Sequence, residues 1–469
     1  MRRLSLLLLV VFVGLISPAQ ADPRPNILFI CTDDQAPWAA GFAGNKDAHT
    51  PNLDRLRREG AWLTNSFTVT PVCSPSRVAL LSSRYPSEMG VNDWIKPDEK
   101  HGLDPQLPTW PRLLQQAGYR TGLVGKWHCG HTPANHPTKH GYEYFMGLLT
   151  GGCATKGPTL EKDGQSQKFE GLAEDIFAEH AMQFIERHKA GPFALSLHFR
   201  APHTAYLPVS EADAAHFIDK KLTLSEYPQL DIKKTETNMR AYLSSVACVD
   251  RNVGRLLNLL DDLKLAENTV VIFTSDHGYN VGQHGIWHKG NATWTLTQTP
   301  SKEWPNIPAN TRPNMFDTSL KLPTVVRWTS YVAQGLTIEQ TVTNLDWFPT
   351  LCALARVKIP EGTTLRGRNI LPLLNEEQVV WSNDYYGEYN MRNGAKTAMR
   401  AYRTTNWKLM LDFANPGRGE LYDLIADPDE RQDLFRSDSP RAKLARADLE
   451  AKIRAKMELI GDSEEKATR

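Results

Sequence analysis

The sequence predicts an α/β fold, with a mostly parallel (mixed) central sheet sandwiched by helices and a smaller C-terminal α+β subdomain with a small antiparallel sheet. Three observations predict it. Short continuous apolar runs alternate with segments of helical periodicity, as expected of parallel strands buried on both faces. Several of those runs end in polar, chemistry-bearing residues, at the strand ends where ligands sit in such sheets. After Pro360 the alternation gives way to short strands joined by turns such as Asn415 to Gly417.

The elements follow in order. Asn26 to Thr32 is an unbroken apolar strand that runs into Asp33 and Asp34. Leu53 to Arg58 begins a helix, with Thr50 or Asn52 as its cap. Thr109 to Ala117 is helical, stopped by Gly118, and Thr121 to Val124 is a strand. Ala173 to His188 is an amphipathic helix and Pro192 to Phe199 a strand. Ser244 to Leu263 has helical periodicity ended at Asn268, and Thr269 to Thr274 is a buried strand leading to Asp276. Leu322 to Val326 and the helix-like Asp346 to Ala355 complete this series. Beyond them, Thr397 to Arg403, Trp407 to Asp412 and Glu420 to Leu424 read as strands, and Pro440 to Leu459 as a charged helix with a solvated face. The chain thus divides into residues 1–21, a leader, residues 22–365, the larger α/β domain, and residues 366–469, the α+β subdomain.

Composition excludes several classes. Hydrophobic residues make up 41% and charged residues 23% of 469, which is neither disordered, collagenous nor coiled-coil. Lys+Arg and Asp+Glu nearly cancel, 54 against 53, so the chain is not a bulk nucleic-acid binder. Arg2 and Arg3, the apolar stretch Leu4 to Ile16 and the small-x-small ending at Ala21 form a secretory signal peptide cleaved after Ala21. That stretch is too short to cross a ~30 Å hydrocarbon core, and no later segment is long and apolar enough. The expected location is therefore periplasmic or secreted, with no membrane span. Six cysteines lack any C-x-x-C pairing and are too few to scaffold the fold.

Asp33 with Asp34, and Asp276 with His277, come from different strand ends and together can hold a hard divalent cation. Three aspartates favour calcium or magnesium over zinc, and the imidazole weakens that preference slightly. The decisive run is Cys73 to Arg77 (CSPSR), continuing to Val91. It resembles the signature of the formylglycine-dependent (type I) sulfatases of the alkaline-phosphatase-like superfamily, where C-x-P-x-R leads into a helix and a G/S-R-Y-P turn. The rest stands in that family's order: Gly125 to His128 (GKWH), Ala201 to His203 (APH), Ser275 to Gly278 (SDHG), His288 to Gly290 (HKG), and Glu420 to Leu434. His277 replaces the Asn of many members and is similar to the Asp-His metal motif of those resembling iduronate 2-sulfatase. Ala205 stands where a Pro usually follows the APH histidine, which leaves the position of that element open.

The resemblance implies a chemistry. Cys73 is oxidised by a formylglycine-generating enzyme during maturation, and the hydrated aldehyde carries two hydroxyls. One attacks the sulfur of a sulfate monoester and expels the alcohol. The other then loses its proton, the C–O bond to sulfate breaks and the aldehyde returns, so one hard step becomes two easier ones. The metal, Ca2+ or alternatively Mg2+, is held by Asp33, Asp34, Asp276, His277 and an oxygen on residue 73, and lowers the pKa of the attacking hydroxyl. Arg77 orients the nucleophile, Lys126 and Lys289 bind sulfate oxygens, His128 deprotonates the intermediate, and His203 contacts sulfate or protonates the leaving alkoxide. The substrates implied are sulfated carbohydrates or aryl sulfates. The alternatives are a phosphonate monoester or phosphodiester hydrolase of the same superfamily, and a non-catalytic carbohydrate-binding relative.

His131, His136, His140, His284 and His288 receive no role, and Cys31 and Cys129 read as inert buried thiols. The stretch Asn291 to Asn314, with Trp294 and Trp304, reads as a loop bordering the substrate cleft, its tryptophans placed to stack on a sugar ring.

Overall fold

The computed structural model describes residues 24–464; the expected leader lies outside the described residues. The main sheet comprises β1 (Asn26–Thr32), β2 (Ala61–Leu63), β3 (Arg120–Lys126), β4 (Tyr144–Leu148), β5 (Thr159–Lys162), β6 (Gln165–Lys168), β7 (Phe193–His198) and β8 (Thr269–Ser275), joined by two strands further along the chain. Before those two comes a small sheet of β9 (Asn280–Val281), β10 (Ile286–His288), β11 (Asn291–Trp294) and β12 (Thr311–Pro313). Then β13 (Thr324–Arg327) and β14 (Leu336–Ile338) complete the ten-stranded order β14-β2-β13-β8-β1-β7-β3-β4-β5-β6. The centre, β8 to β4, is parallel, in register Ile27 to Val270 and Ile27 to Ala194, whereas β13, β5 and β6 pair antiparallel. The sheet is therefore mixed, with a parallel core.

Strand period decides the two layers. Ile27, Phe29 and Cys31 of β1 face one side, where they pack with Trp110, Leu114, Trp347 and Phe348. Trp110 and Leu114 come from α3 (Trp110–Gln116) and Trp347 and Phe348 from a helix over Trp347–Leu354, and α2 (Cys73–Ser82) adds Val78 and Leu81 to the same layer. Leu28 and Ile30 face the other side, against Leu53 and Leu56 of α1 (Pro51–Glu59), Phe177 and Phe184 of α4 (Ala173–His188), and Val249 and Val253 of α5 (Ile232–Asp262). Each such fully buried side chain contributes about 1.5–3 kcal/mol by leaving water. Helix α5 starts well before the expected Ser244. Its first turns are polar and hide the period, but Asp231 caps it by accepting from Lys234 N at 3.1 Å, and Met239, Tyr242, Leu243 and Val246 are buried.

The C-terminal part folds as four antiparallel strands, β15 (Tyr385–Tyr389), β16 (Met399–Arg403), β17 (Trp407–Asp412) and β18 (Gly419–Asp423). Sequence reading missed β15, whose short run Tyr-Tyr-Gly-Glu-Tyr has a polar interior. The final helix, Pro440–Leu459, buries the stripe Ala442, Leu449, Ile453 and Met457 and exposes the rest. All six cysteines are unpaired. Among the described residues no helix is long and apolar enough to cross a membrane.

A buried ionic cluster ties this small sheet to the main body. Asp317 accepts from Arg403 Nε at 3.1 Å and Lys408 Nζ at 2.8 Å, and Lys408 also meets Glu430 at 2.5 Å. Burial opposes ionisation of Asp317, but Arg403 and Lys408 outweigh it and hold the carboxyl below its ordinary 3.8. Asp317→Ala takes a carboxylate away from Arg403, Lys408 and Lys321 and should lower stability by about 3–5 kcal/mol in urea unfolding. Because folding lowers this pKa, the wild-type advantage over the variant is present above pH ~4 and shrinks on further acidification.

Candidate active site

Four neighbouring parallel strands deliver their carboxyl ends to one place. β1 leads into Asp33 and Asp34, β3 ends at Lys126 with His128 just beyond, β7 is followed by His203, and β8 by Asp276 and His277. Gly125 makes the convergence possible: at φ 104°, any Cβ there would lie 1.9 Å from the His198 carbonyl oxygen of β7. Cys73 is the first residue of α2, and Pro75 falls in the first turn, where a backbone N–H has no helical acceptor. Arg77 follows one turn later and so points back along the same face. Lys289 follows β10 directly.

Ligand-type atoms of Asp33, Asp34, Cys73 and His277 all lie within 4.8 Å of one another, and all four residues are buried. His277 Nδ1 sits 2.9 Å from the Gly278 carbonyl, which only accepts, so Nδ1 carries the proton and Nε2 offers its lone pair to the cluster. That Nε2 is 3.3 Å from Asp34 Oδ1, 3.3 Å from Asp276 Oδ1 and 3.5 Å from Cys73 Sγ. The other Asp276 oxygen is taken by Arg77 through Nε and Nη2, both at 3.0 Å. Lys126 pairs with Asp33. Lys289 Nζ bridges Asp34 Oδ1 at 2.5 Å and Cys73 Sγ at 3.0 Å. A divalent cation fits this set: the donors are mainly carboxylate oxygens, Asp34 Oδ2 is buried with no partner, and an imidazole lone pair points inward.

Burial works to raise the Asp33 carboxyl, but Lys126, His203, Lys289 and Arg77 prevail and hold it well below the usual range. Asp34 shows the opposite balance: burial pushes it up despite Lys289. The Cys73 thiol is raised, first by burial and then by Asp33. His128 donates from Nε2 to the Ile95 carbonyl at 3.1 Å, and its buried Nδ1 has no partner. Burial and the Lys126 charge hold its imidazole well below 6.5, so it is a neutral acceptor. His203 Nδ1 sits 2.6 Å from the Thr204 carbonyl and Nε2 3.9 Å from Asp34 Oδ2, so the Ala205 departure does not carry this histidine away.

All the residues named from sequence converge here, with the Asp276 carboxylate shared between Arg77 and the cluster rim. Other contributors escaped the sequence reading. His198, at the end of β7, is 3.3 Å from Arg77 Nη1 and 3.1 Å from the Lys126 carbonyl. Buried Glu174 accepts from Ala201 N at 3.0 Å and anchors the APH turn, and Tyr242 donates to the Asp34 carbonyl at 2.8 Å. His198 was within reach of the strand-end rule; Glu174 and Tyr242 sit inside helices with no local signal.

The expected role of Asn291 to Asn314 needs correction. Pairing of β11 with β12 turns this stretch into a hairpin laid against the small C-terminal sheet. Trp294 and Trp304 line a cavity of about 420 Å3 with Arg312, Gly417 and Tyr422, and none of the acid-cluster residues borders it.

A buried cysteine at a helix start, a carboxylate cluster and two buried lysines form a site suited to an oxyanionic ester. The Sulfatase family pattern matches residues 25–357, and the pattern described as N-sulphoglucosamine sulphohydrolase, C-terminal, matches residues 311–458. The chain belongs to the sulfatase family, the hydrolases of sulfuric esters. It is 26% identical to an N-acetylglucosamine-6-O-sulfatase of Bacteroides thetaiotaomicron, over 88% of this chain and 83% of that protein. It is 27% identical to the steryl-sulfatase of Mus musculus, over 94% and 83%. In fold it matches a protein solved in complex with its substrate D-glucosamine-2-N,6-O-disulfate, with TM-score 0.80, 23% identity and coverage of 93% of this chain and 98% of that one.

Replacing Arg77 with Ala strands the buried Asp276 carboxylate. The expected cost is about 3–5 kcal/mol in urea unfolding, and an unchanged midpoint would contradict the pairing described here.

Proposed function

We propose that this enzyme hydrolyses a sulfate monoester on a sulfated carbohydrate, with residue 73 as nucleophile after oxidation of Cys73 to formylglycine. The observation that carries the reading is Lys289 Nζ, which touches both the position 73 side chain and a cluster carboxylate. One buried cation thus spans the nucleophile and the electrostatic centre, where an oxygen of the sulfuryl group has to rest. The carbohydrate is supported by the Bacteroides relative, whose name gives a sulfated amino sugar, and by the secretory leader, which fits a periplasmic or secreted enzyme facing extracellular polysaccharide.

Asp33, Asp34, His277 and residue 73, with Asp276 Oδ1 beside them, would hold Ca2+ or Mg2+, which when bound supplies Lewis-acid charge at the nucleophile. The formylglycine left by a formylglycine-generating enzyme supplies paired hydroxyls, one to accept the sulfuryl group and one whose deprotonation releases sulfate. The chain's own residues do the rest. Lys126 and Lys289 bind sulfate oxygens, and Arg77 fixes Asp276 and the start of α2. His128 accepts a proton at Nδ1, its free and neutral nitrogen. His203 keeps its proton on Nδ1 toward Thr204, so it donates to the leaving oxygen from Nε2 only as the imidazolium, a form that burial disfavours in the free enzyme and that a bound anionic ester favours.

Protein matured with the generating enzyme should release sulfate from an aryl sulfate and from at least one member of a panel of sulfated sugars. Its kcat/KM for aryl sulfate should exceed those for aryl phosphonate and phosphodiester; the reverse order would make it a phosphorus-ester hydrolase. Mass spectrometry of the peptide holding residue 73 should find an aldehyde, and persistent thiol would support the non-catalytic alternative. Cys73→Ser should take up one sulfuryl group and stall. The acid limb of kcat/KM assigned to His128 should lie below pH 6.5, since a lowered pKa keeps this base unprotonated into more acidic solution.

A further inference from the structure

Beside Lys289 runs a hydrogen-bonded chain of four aromatic side chains. Trp287 Nε1 donates to Tyr206 Oη at 2.8 Å, the Tyr206 and Tyr279 hydroxyls are 2.8 Å apart, and Tyr279 Oη is 3.1 Å from His288 Nδ1. The donors fix its direction. An indole N–H can only donate, so Tyr206 accepts at the head of the chain. The other polar partner of the Tyr206 hydroxyl is Tyr279, so its proton goes there. The Tyr279 proton then goes to His288 Nδ1. The ring proton of His288 is thereby placed on Nε2, and this imidazole is fixed as a donor.

The chain stands on a rigid wall. Tyr279 stacks on Tyr242 with centroids 5.3 Å apart and planes within 7°, and Trp38 Nε1 donates to the Tyr279 carbonyl at 2.8 Å. Tyr242 in turn holds the Asp34 carbonyl at 2.8 Å. His288 itself sits in left-handed backbone, φ 87°, a conformation costing a non-glycine residue roughly 1–3 kcal/mol. Asn280 Nδ2 holds its carbonyl at 2.8 Å. Burial, Lys289 and Lys234 keep the imidazole neutral, at about 3. It is thus a hydrogen-bond donor and not a proton-transfer group. Trp38, Trp287 and His288 are each only partly buried, and His288 immediately precedes the lysine that touches Cys73.

We propose that His288 determines specificity: its Nε2–H, fixed by Trp287, Tyr206 and Tyr279, donates to an oxygen of the sugar that carries the sulfate, beside apolar faces of Trp38 and Trp287. The inference rests on the carbohydrate reading above and deepens it. An aryl leaving group offers no sugar oxygen, so the two substrate types separate the role.

The test compares kcat/KM for the best sulfated sugar with kcat/KM for an aryl sulfate, in wild type, His288→Phe, His288→Gln and Tyr279→Phe. His288→Phe should lower the sugar-to-aryl ratio about five- to tenfold, the worth of one hydrogen bond. His288→Gln keeps a side-chain N–H and should recover part of it. Histidine-selective nitrogen NMR should show wild-type His288 protonated at Nε2, and Tyr279→Phe should mix the two tautomers. A ratio unmoved by His288→Phe, parallel losses on both substrates, or protonation at Nδ1 in the wild type each overturns the proposal. Failure of the carbohydrate reading looks different: wild type then turns over aryl sulfate and no sulfated sugar, and the sugar contact proposed for His288 falls with it.

Discussion

Three carboxylates share one buried space in this protein because each has its own cation: Asp33 with Lys126, Asp34 with Lys289, Asp276 with Arg77. Like charges this close and this dry cannot all ionise without such matching, since removing an ion from water costs several kcal/mol even after relaxation, and at Asp34 burial outweighs even the paired lysine. The matching draws on residues far apart in sequence, and the parallel core is what brings them together. Four adjacent strands present their carboxyl ends, a helix adds residue 73 and its arginine, and a short antiparallel turn adds the last lysine. The same pairs are available for catalysis, because a cation and an anionic ester are the partners that carboxylates and lysines respectively accept.

Much of this was legible in the sequence, for reasons that differ from residue to residue. Buried parallel strands read as unbroken apolar runs, so Asn26 to Thr32 and Thr269 to Thr274 stood out, and the acids after them were conspicuous. Short strands such as Ala61–Leu63 and Tyr385–Tyr389 did not, since three residues are too few to show a period and Gly387 and Glu388 interrupt the other. The start of α5 was hidden because exposed first turns need no apolar residue. Residues that act through others, such as Glu174 and Tyr242, are set only by tertiary contact. His288 looked idle for the same reason, as its partners Tyr279 and Tyr206 are assembled by the fold.

The tryptophans of Asn291 to Asn314 teach the converse. Their composition pointed to a sugar platform, yet strand pairing decided where they went. Once β11 and β12 pair, the connecting segment is directed toward the small sheet, and its aromatic rings close a seam at the far end of the hairpin. Composition described what those residues can do, whereas topology settled what they meet.

The small sheet also grips the segment that follows α2. Glu388 accepts from Ser87 N at 2.6 Å, Asp93 accepts from Arg392 N at 2.8 Å and Asn393 N at 2.9 Å, and Ile95 N reaches Ser74 at 3.0 Å. In the folded chain residue 73 retains only 3% of its surface. The residues of the small sheet that hold this segment lie more than 300 positions further along the chain than residue 73. An enzyme acting on this thiol would have to reach it before those later residues have folded over it.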